Sequence, residues 1–515
     1  MARLNSITLQ SPGTLGLNTQ DQDSIQDPRY STQALNCVIS RNGLLEARQG
    51  AKALNGTAAT GTPALDVVFS YVEDDGSENI ISTGGNKIWV GTTSLTDKTG
   101  TLTVTADDWQ FQNYAGEVFG YQSGHAPIFW DGGAGAFVLL STHAGAAGLV
   151  NSKCHLSAFG RSWVVDTTTV SQINYSDLLI PADFTNGSAG TIDLNTVWPY
   201  SNDTITALAA HNNNLIIFCE KSIIIYGNAH DINNLYLIEV IRDIGCVARD
   251  TIQNIGDDIF FLANDGVRSL ARTIIQDNMP QSEVSENIRD DLIDTINSAT
   301  LTSVRSTYNE KQGFYVLNFP EQATQYVCDV RLAAQDIFRW SIWSGAFYGV
   351  ETSKANTNNF YIGLDGGFLA NYDSYYDTDT STGVVDQTYI VKFTSSWFHP
   401  ATLSNQWING MQAIWKKAKL WIATIGTVQA KLLWSFDFND QDKSLSKEIV
   451  GIGGSKYGSF KYGSGTKYGG LLLKQNISYT LRGVGEVVRV GFQSVIDGKQ
   501  LAFNRILLFY KNGRI

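Results

Sequence analysis

Proline is scarce in this sequence, with 9 copies among 515 residues. Charged residues make up only 17%, against about a quarter in a typical soluble domain. No apolar stretch is long enough to cross a bilayer, and the opening MARLNSITLQSPG lacks the apolar core of a signal peptide. We therefore expect a chain that is assembled in the cytoplasm without membrane insertion and that covers part of its surface with partners.

Cysteine is also infrequent, and no two cysteines form a C-x-x-C pair. The five are dispersed at Cys37, Cys154, Cys219, Cys246 and Cys328. Several stand in apolar runs such as IIFCEK, which predicts buried free thiols in a reducing compartment.

Motifs that carry catalysis or hold a ligand are missing. The histidines are well separated, and there is no G-x-S-x-G elbow and no Walker A loop. The nearest approaches to a calcium loop lack glycine at the sixth position; they are Asp377, Asp379 and Ser381, and Asp437, Asn439 and Gln441. These absences predict a protein that is not an enzyme and that binds no cofactor and no metal.

The formal net charge is −12, which argues against a protein that grips phosphates along a basic face. An acidic wall past which DNA slides is compatible with this charge. So is an ordinary mildly acidic soluble protein, which is the plainer interpretation.

Residues that favour strands are abundant. Aromatic residues reach 11%, valine, isoleucine and threonine are frequent, and 48 glycines are available for tight turns. The composition predicts an all-β protein.

A weak repeat runs from about residue 64 to about residue 392. Each unit has a polar anchor, a short apolar strand, a turn with a small residue eight positions on, and a second apolar strand. The anchors are Asn86, Arg161, Asn214, Asp258 and Asn359, and a sixth unit with a longer turn fits near Gln312. Multi-strand repeats of this length predict a β-propeller of about six blades at 64–392. A sandwich or an irregular β fold is the alternative.

The segments on either side of the repeat differ from it. Residues 1–63 predict an extended N-terminal arm, suited to lacing subunits together, followed by a hairpin that turns at Arg41-Asn42-Gly43. Within the repeat region, apolar residues at intervals of four predict one helix, capped by Ser282 or Ser285. Its stripe is Val284, Ile288, Leu292 and Ile296.

Residues 393–515 predict a smaller, sandwich-like C-terminal β-domain, because alternation recurs in KLWIATI and KLLWSFDF. Between its halves, a glycine-rich loop at 451–470 repeats Lys-Tyr-Gly three times. Tyrosine offers contact area and lysine reaches phosphates or acidic partners, so this loop is a candidate interaction site. Its residues are Lys456, Tyr457, Lys461, Tyr462, Lys467 and Tyr468. A hairpin with solvated lysines is the alternative.

Three segments resemble the tail nozzle proteins of short-tailed bacteriophages, also called tail tubular protein B or packaged-DNA stabilisation proteins. The first carries Ile217, Phe218, Ser222, Ile223 and Gly227; the second carries Ile244, Gly245, Val247 and Ala248, with Thr251 where the family has serine; the third carries Ile259, Phe261, Leu262, Gly266 and Val267. The N-terminal hairpin is similar too, through Leu35, Asn36, Gly43, Leu45, Arg48 and Gly50, and so is the closing RILLFYKNGR.

The resemblance implies a structural virion protein that forms a homohexameric tube in the viral tail. Such a tube retains packaged DNA and conducts it during ejection without sequence recognition. The implied partners are a tail adaptor protein above the tube and tail fibres or tail-tip proteins, with no direct membrane span. Two alternatives stay open: a receptor- or glycan-binding tail propeller, and a propeller glycosidase.

Overall fold

A computed structural model gives the fold and describes residues 4–22, 26–199, 202–275, 283–356, 359–380, 385–400, 412–439, 441–449, 454–455, 467–468 and 473–513. Strands dominate this part of the chain, and helices are few and short. No helix in these ranges is long and apolar enough to cross a membrane.

Most strands between residues 67 and 374 form antiparallel groups of three or four consecutive strands. Within the described ranges there are seven such groups, which we call blades 1 to 7; blade 6 is continuous with a larger, nine-stranded sheet. Blade 1 contains Val67–Val72, Glu78–Thr83, Ile88–Val90 and Thr96–Asp97, and blade 2 contains Gln110–Tyr114, Glu117–Tyr121, Ile128–Trp130 and Val138–Leu139. Blade 3 contains Ser152–Ala158, Arg161–Asp166, Gln172–Tyr175 and Gly190–Asp193, and blade 4 contains Ile205–His211, Asn214–Cys219, Ser222–Gly227 and Tyr236–Arg242. Blade 5 contains Gln253–Ile255, Asp258–Ala263 and Gly266–Ser269. Blade 6 contains Arg305–Asn309, Phe314–Phe319, Thr324–Asp329 and Arg339–Ser344, and blade 7 contains Phe347–Thr352, Phe360–Leu364 and Leu369–Ser374.

The blades close into a ring, because the first strand of each blade lies against the first strand of the next. The contact between blades 4 and 5 is made by the short 3-10 helix Arg249–Thr251, which precedes blade 5. Blade 7 contacts blade 1, so the series returns to its start. Small sheets arranged in this way around an axis define a β-propeller. The predicted fold class is confirmed.

A strand from the N-terminal region completes the ring. Gly50–Ala53 pairs antiparallel with Leu369–Ser374 and becomes the outer strand of blade 7. At the joint between blades 7 and 1, a Cβ on Gly349 would lie 2.7 Å from the backbone nitrogen of Val68. Only glycine allows the two inner strands to approach so closely. The chain therefore closes its propeller with strands that are more than 300 residues apart in sequence.

The described ring has one blade more than the sequence repeat suggested. Five of the anticipated units fall in blades 3 to 7, and the Asn86 unit covers the outer strand pair of blade 1. The sequence repeat did not reveal blade 2, because six residues, 122–127, separate its second and third strands. The fixed spacing of eight residues from anchor to turn fails there.

The predicted helix lies between blades 5 and 6. It begins as the 3-10 turn Glu286–Ile288 and continues as the α-helix Arg289–Ser298, and all four stripe residues are buried. Ser285 does not cap it: its Oγ donates to Oε1 of Glu283 and accepts from the backbone N–H of Val267. Ser282 lies outside the described residues. A further short helix, Leu270–Ile275, follows blade 5.

The C-terminal region is a sandwich of two sheets. One contains Cys37–Ile39, Leu45–Ala47, Leu501–Asn512, Ala413–Thr424 and Leu473–Gly485, and the other continues from blade 6 through Ser31–Leu35, Tyr389–Ser395, Val488–Ile496, Val428–Phe436 and Lys443–Ile449. Aromatic rings from both sheets meet in the core, as Trp415 and Phe436 do at 6.1 Å between centroids. The boundary anticipated at 392/393 falls inside Tyr389–Ser395. The short hairpin Asp377–Asp379 and Val385–Gln387 precedes that strand.

In its described part, the N-terminal arm pairs with other strands of the same chain. Asn5–Gln10 pairs with Leu501–Asn512, and Ser31–Leu35 connects blade 6 to the sandwich. The hairpin Cys37–Ile39 and Leu45–Ala47 turns at Gly43, as predicted. These pairings bury Ile7 and Leu9, so the contacts that offset the entropy of ordering the arm lie within one subunit.

Candidate functional site

The guanidinium of Arg48 is fully buried and makes many hydrogen bonds. It donates to both carboxylate oxygens of Asp377, at 2.9 and 2.6 Å, and to Oδ1 of Asn36 at 2.8 Å. Its other donors reach the backbone oxygens of Gln49 and Ser344 at 2.8 and 3.0 Å. Every N–H of this guanidinium therefore has an acceptor.

The partners of Arg48 come from three parts of the fold. Asn36 donates to the backbone oxygen of Ile390 at 2.7 Å and to Oγ of Ser344 at 2.9 Å, and the ring of Tyr389 lies 4.3 Å from Cζ of Arg48. We call this set, Asn36, Arg48, Ser344, Asp377 and Tyr389, the Arg48 junction. It ties the N-terminal arm to blade 6 and to the C-terminal sandwich.

Gly50 lies beside the Arg48 junction, where the backbone of another segment approaches so closely that a side chain would not fit. A Cβ there would lie 1.9 Å from the backbone oxygen of Tyr376. Asn36, Arg48 and Gly50 are also residues that carry the resemblance to nozzle proteins. Their shared feature is a structural role where the arm, the ring and the sandwich meet.

The resemblance residues of blades 4 and 5 have the same character. A Cβ on Gly245 would lie 2.2 Å from the backbone oxygen of Glu220, so this glycine lets the linker pack under blade 4. Thr251 donates to the backbone oxygen of Ala248 at 2.7 Å and accepts from the N–H of Leu262 at 3.2 Å. Tyr315 of blade 6 donates to the backbone oxygen of Thr251 at 2.9 Å. These contacts join blades 5 and 6.

Gly266 packs against the buried carboxyl of Glu283 and against Ser285. Burial raises the pKa of Glu283 to about 7, although Nη2 of Arg289 lies 3.1 Å away and Ser285 donates to it. This carboxyl joins blade 5 to the helix that follows.

A cavity of about 870 Å³ lies among the first strands of the blades, on the propeller axis. Its charged lining residues are Arg249, Asp250, Arg305, Glu310, Glu351 and Lys354. Asp250 receives Nη2 of Arg249 at 2.8 Å and Nη1 of Arg305 at 2.9 Å. Burial opposes ionisation of Asp250, but the two guanidiniums outweigh it and lower its pKa. The lining has equal numbers of acidic and basic side chains, so this cavity is not a basic channel.

Across the described residues, no group of three or more histidine, cysteine, aspartate or glutamate side chains is arranged to hold a metal ion. Asp377 of the calcium-like segment is engaged by Arg48. The five cysteines are buried free thiols, and burial lowers the pKa of His155 to about 3.

The Lys-Tyr-Gly loop falls mostly outside the described residues, which leaves out Lys456, Tyr457, Lys461 and Tyr462. The backbone of Lys467–Tyr468 forms a short strand parallel to Gly454–Ser455. The contact role of this loop stays a prediction.

Charge is divided sharply along the chain. Residues 393–515 contain 16 lysines and arginines against 6 acids, a net charge of +10, whereas residues 1–392 contain 21 against 43, a net charge of −22. Counting charge by region reveals this from sequence alone, and the overall value of −12 conceals it.

Much of this positive charge is on one surface, which we call the C-terminal outer face. It is the side of Ala413–Thr424, Leu473–Gly485 and Leu501–Asn512 that points away from the core. Its side chains are Lys416, Lys417, Lys419, Arg482, Arg505 and Lys511, interspersed with Ile414, Trp421, Val484, Leu507 and Phe509. Among the described residues, none of these six cations has a carboxylate within ion-pair distance.

Comparison with known proteins gives matches to solved structures but to no family model and no curated protein. Among solved structures it is similar to PorZ, a surface component of the type-IX secretion system of Porphyromonas gingivalis, at 12% identity and a TM-score of 0.38, over 70% of this chain and 44% of that one. This chain thus matches less than half the length of PorZ.

Two similar structures are shorter. The Pan2 WD40 domain of Neurospora crassa matches at 7% identity and a TM-score of 0.39, over 63% of this chain and 96% of that one. The AfRom2 CNH domain matches at 9% identity and a TM-score of 0.34, over 63% of this chain and 99% of that one. Scores this low carry no argument, so the class of this protein, a β-propeller with a C-terminal β-sandwich, rests on its own sheets.

Proposed function

We propose that this chain is a structural subunit of the tail nozzle of a short-tailed bacteriophage. Copies, six by resemblance to the family, form a tube in the virion tail below an adaptor ring and beside tail fibres or tail-tip proteins. The tube retains packaged DNA and conducts it during ejection. The chain does no chemistry in this role.

The observation that carries the proposal is the position of the residues that resemble the nozzle family. Asn36, Arg48 and Gly50 join the arm to the ring and the sandwich, and Gly245 and Thr251 join neighbouring blades. Residues in these positions hold one rigid body together, which suits a conduit under internal pressure. The acidic propeller region supports the same role, because a wall of net negative charge does not grip phosphates.

The test is assembly of the purified full-length chain, measured by mass photometry and electron-microscopy class averages. The proposal predicts a closed ring with an axial opening wide enough for duplex DNA. A chain that stays monomeric at micromolar concentration, even with its adaptor ring present, contradicts it. Hydrolysis of fluorogenic glycosides that is lost on replacing one carboxylate would establish the glycosidase alternative instead.

One observation favours the receptor-binding alternative. Tyr236–Arg242 is the outer strand of blade 4, and Tyr236, Leu237 and Ile238 are 58%, 43% and 46% exposed. An apolar outer strand offers both side chains and backbone groups to a partner. A glycan array and a cell-surface binding assay distinguish this function from the nozzle, since saturable binding by a monomer supports a receptor-binding propeller.

A further inference from the structure

The C-terminal outer face combines positive charge with apolar surface. Cζ of Arg505 lies 4.1 Å from the ring of Trp421, and Nζ of Lys419 lies 5.8 Å from the ring of Phe509. Val484 is 49% exposed. Arginine and aromatic residues are enriched in the cores of protein interfaces, and lysines, which are depleted there, suit the polar rim around such a core. The mixture favours a protein partner of acidic character.

The dimensions of this face also match a protein interface. Strands of 12 residues extend for about 40 Å, and the three long strands with Asn5–Gln10 span about 19 Å. The product, on the order of 800 Å², is the area that one partner contributes to a standard protein interface.

A surface of the required charge is present in the same chain. Acidic side chains crowd the turns of blades 1 and 2 at Glu73, Asp74, Asp75, Glu117 and Asp131, which we call the acidic turn cluster. A Cβ on Gly116 would lie 2.7 Å from Oδ2 of Asp74, which places the two turns side by side. Burial and these carboxylates raise the pKa of Tyr71, which lies among them, to about 12.

The acidic turn cluster has little positive charge of its own. Within the described residues, the one basic side chain paired with it is His143, whose Nε2 lies 3.2 Å from Oε2 of Glu117. Asp74, Asp75 and Asp131 are exposed. Within the described residues, no strand of blades 1 and 2 packs extensively against Ala413–Thr424, Leu473–Gly485 or Leu501–Asn512, so the two surfaces are separate within one subunit.

We propose that the C-terminal outer face of one copy binds the acidic turn cluster of a second copy, head to tail. The inference rests on the proposed function, in which copies of this chain form a ring. Two different surfaces that meet make a heterologous contact, which generates a ring when the rotation closes. Opposite charges fix the direction of the contact and suppress pairing of like faces.

The test is a charge-swap series in the full-length chain. Lys416→Glu with Lys511→Glu reverses charge on the basic face, and Asp74→Lys with Asp75→Lys reverses it on the acidic cluster. The control is Lys443→Glu with Lys447→Glu, which makes the same charge change on exposed positions of the other sheet. Mass photometry measures assembly across protein concentration and salt, and thermal unfolding confirms that each variant is folded.

Each reversed pair is expected to raise the concentration for half-assembly about tenfold or more, and the combined quadruple variant to restore assembly. The control pair is expected to leave assembly unchanged. Wild-type-like assembly by both reversed pairs overturns this inference and leaves the proposed function standing. Absence of assembly in every protein, wild type included, overturns both. Unchanged assembly together with binding of a labelled DNA duplex that the Lys416→Glu, Lys511→Glu variant loses assigns the face to nucleic acid instead.

Discussion

Arg48 and Asp377 form a bidentate ion pair whose guanidinium has no exposed surface. The two residues are 329 positions apart in sequence, and the pair fixes the N-terminal arm to the segment that leads into the C-terminal sandwich. An ion pair in such a place contributes most to specifying the arrangement of segments, because desolvation of both charges offsets much of their attraction.

Removing one member of this pair leaves the other buried and unpaired. We expect Arg48→Met to lower the free energy of unfolding by about 3–5 kcal/mol, measured by chemical denaturation. Arg48→Lys should recover part of the loss, because lysine keeps the charge without the fork of donors. The control is Arg29→Met, which breaks the exposed pair with Asp27 and should cost less than about 0.5 kcal/mol. Equal losses for Arg48→Met and Arg29→Met would refute the role of the Arg48 junction.

Gly50 gives a test of the ring closure. A methyl group there meets the backbone oxygen of Tyr376, so Gly50→Ala should destabilise the protein by about 2–4 kcal/mol. Gly56 has no atom within 4 Å of the corresponding position, so Gly56→Ala is the matched control and should be neutral. Thermal unfolding compares the two. A neutral Gly50→Ala would mean that Gly50–Ala53 does not pack as described.

Glu283 predicts an unusual pH dependence. Its pKa in the folded protein, about 7, is above the ordinary value of 4.5, so the folded state holds this proton more tightly than the unfolded state. Stability relative to Glu283→Gln should therefore fall as pH rises from 4.5 to 7, by about 3 kcal/mol, and stay low above that range. Urea denaturation of both proteins at pH 5 and pH 8 measures the difference. Glu286→Gln, at an exposed position, should change stability little at either pH. A difference that grows in the opposite direction contradicts the burial of this carboxyl.

The first strand predicts an effect at the other end of the chain. Deleting residues 1–12 removes the partner of Leu501–Asn512 and the buried side chains of Ile7 and Leu9, each contributing about 2 kcal/mol. Amide hydrogen exchange in residues 505–510 should accelerate, and the uncovered strand edge should promote aggregation. Unchanged exchange in these residues would show that the arm is not paired there.

Local pattern was enough to predict the β class, the Gly43 hairpin and the helix stripe from Ile288 to Ile296, whereas Val284 lies just before the helix, which begins at Glu286. Each depends on residues close in sequence, where side-chain period and turn chemistry decide the structure. The ring closure by Gly50–Ala53 and the Arg48 junction depend on partners more than 300 residues away. Composition and spacing contain no direct signal for such pairings.

The two proposed interaction surfaces differ in the same way. The Lys-Tyr-Gly loop was found as a local repeat, but the C-terminal outer face was not, because its cations come from three strands distant in sequence. Alternation along one strand shows which of its residues share a face of the sheet. The register between strands is also needed to place cations from different strands side by side. The regional charge count was the available signal, and it was obscured by the acidic total.

Whether copies of this chain form a tube can be decided by cryo-electron microscopy of the purified chain, alone and with the proposed adaptor ring. We expect a closed ring of copies around a continuous lumen, with each propeller closed by its own N-terminal strand. Isolated propellers without a shared lumen, or converging acid and base groups in a substrate-sized cleft, would contradict it.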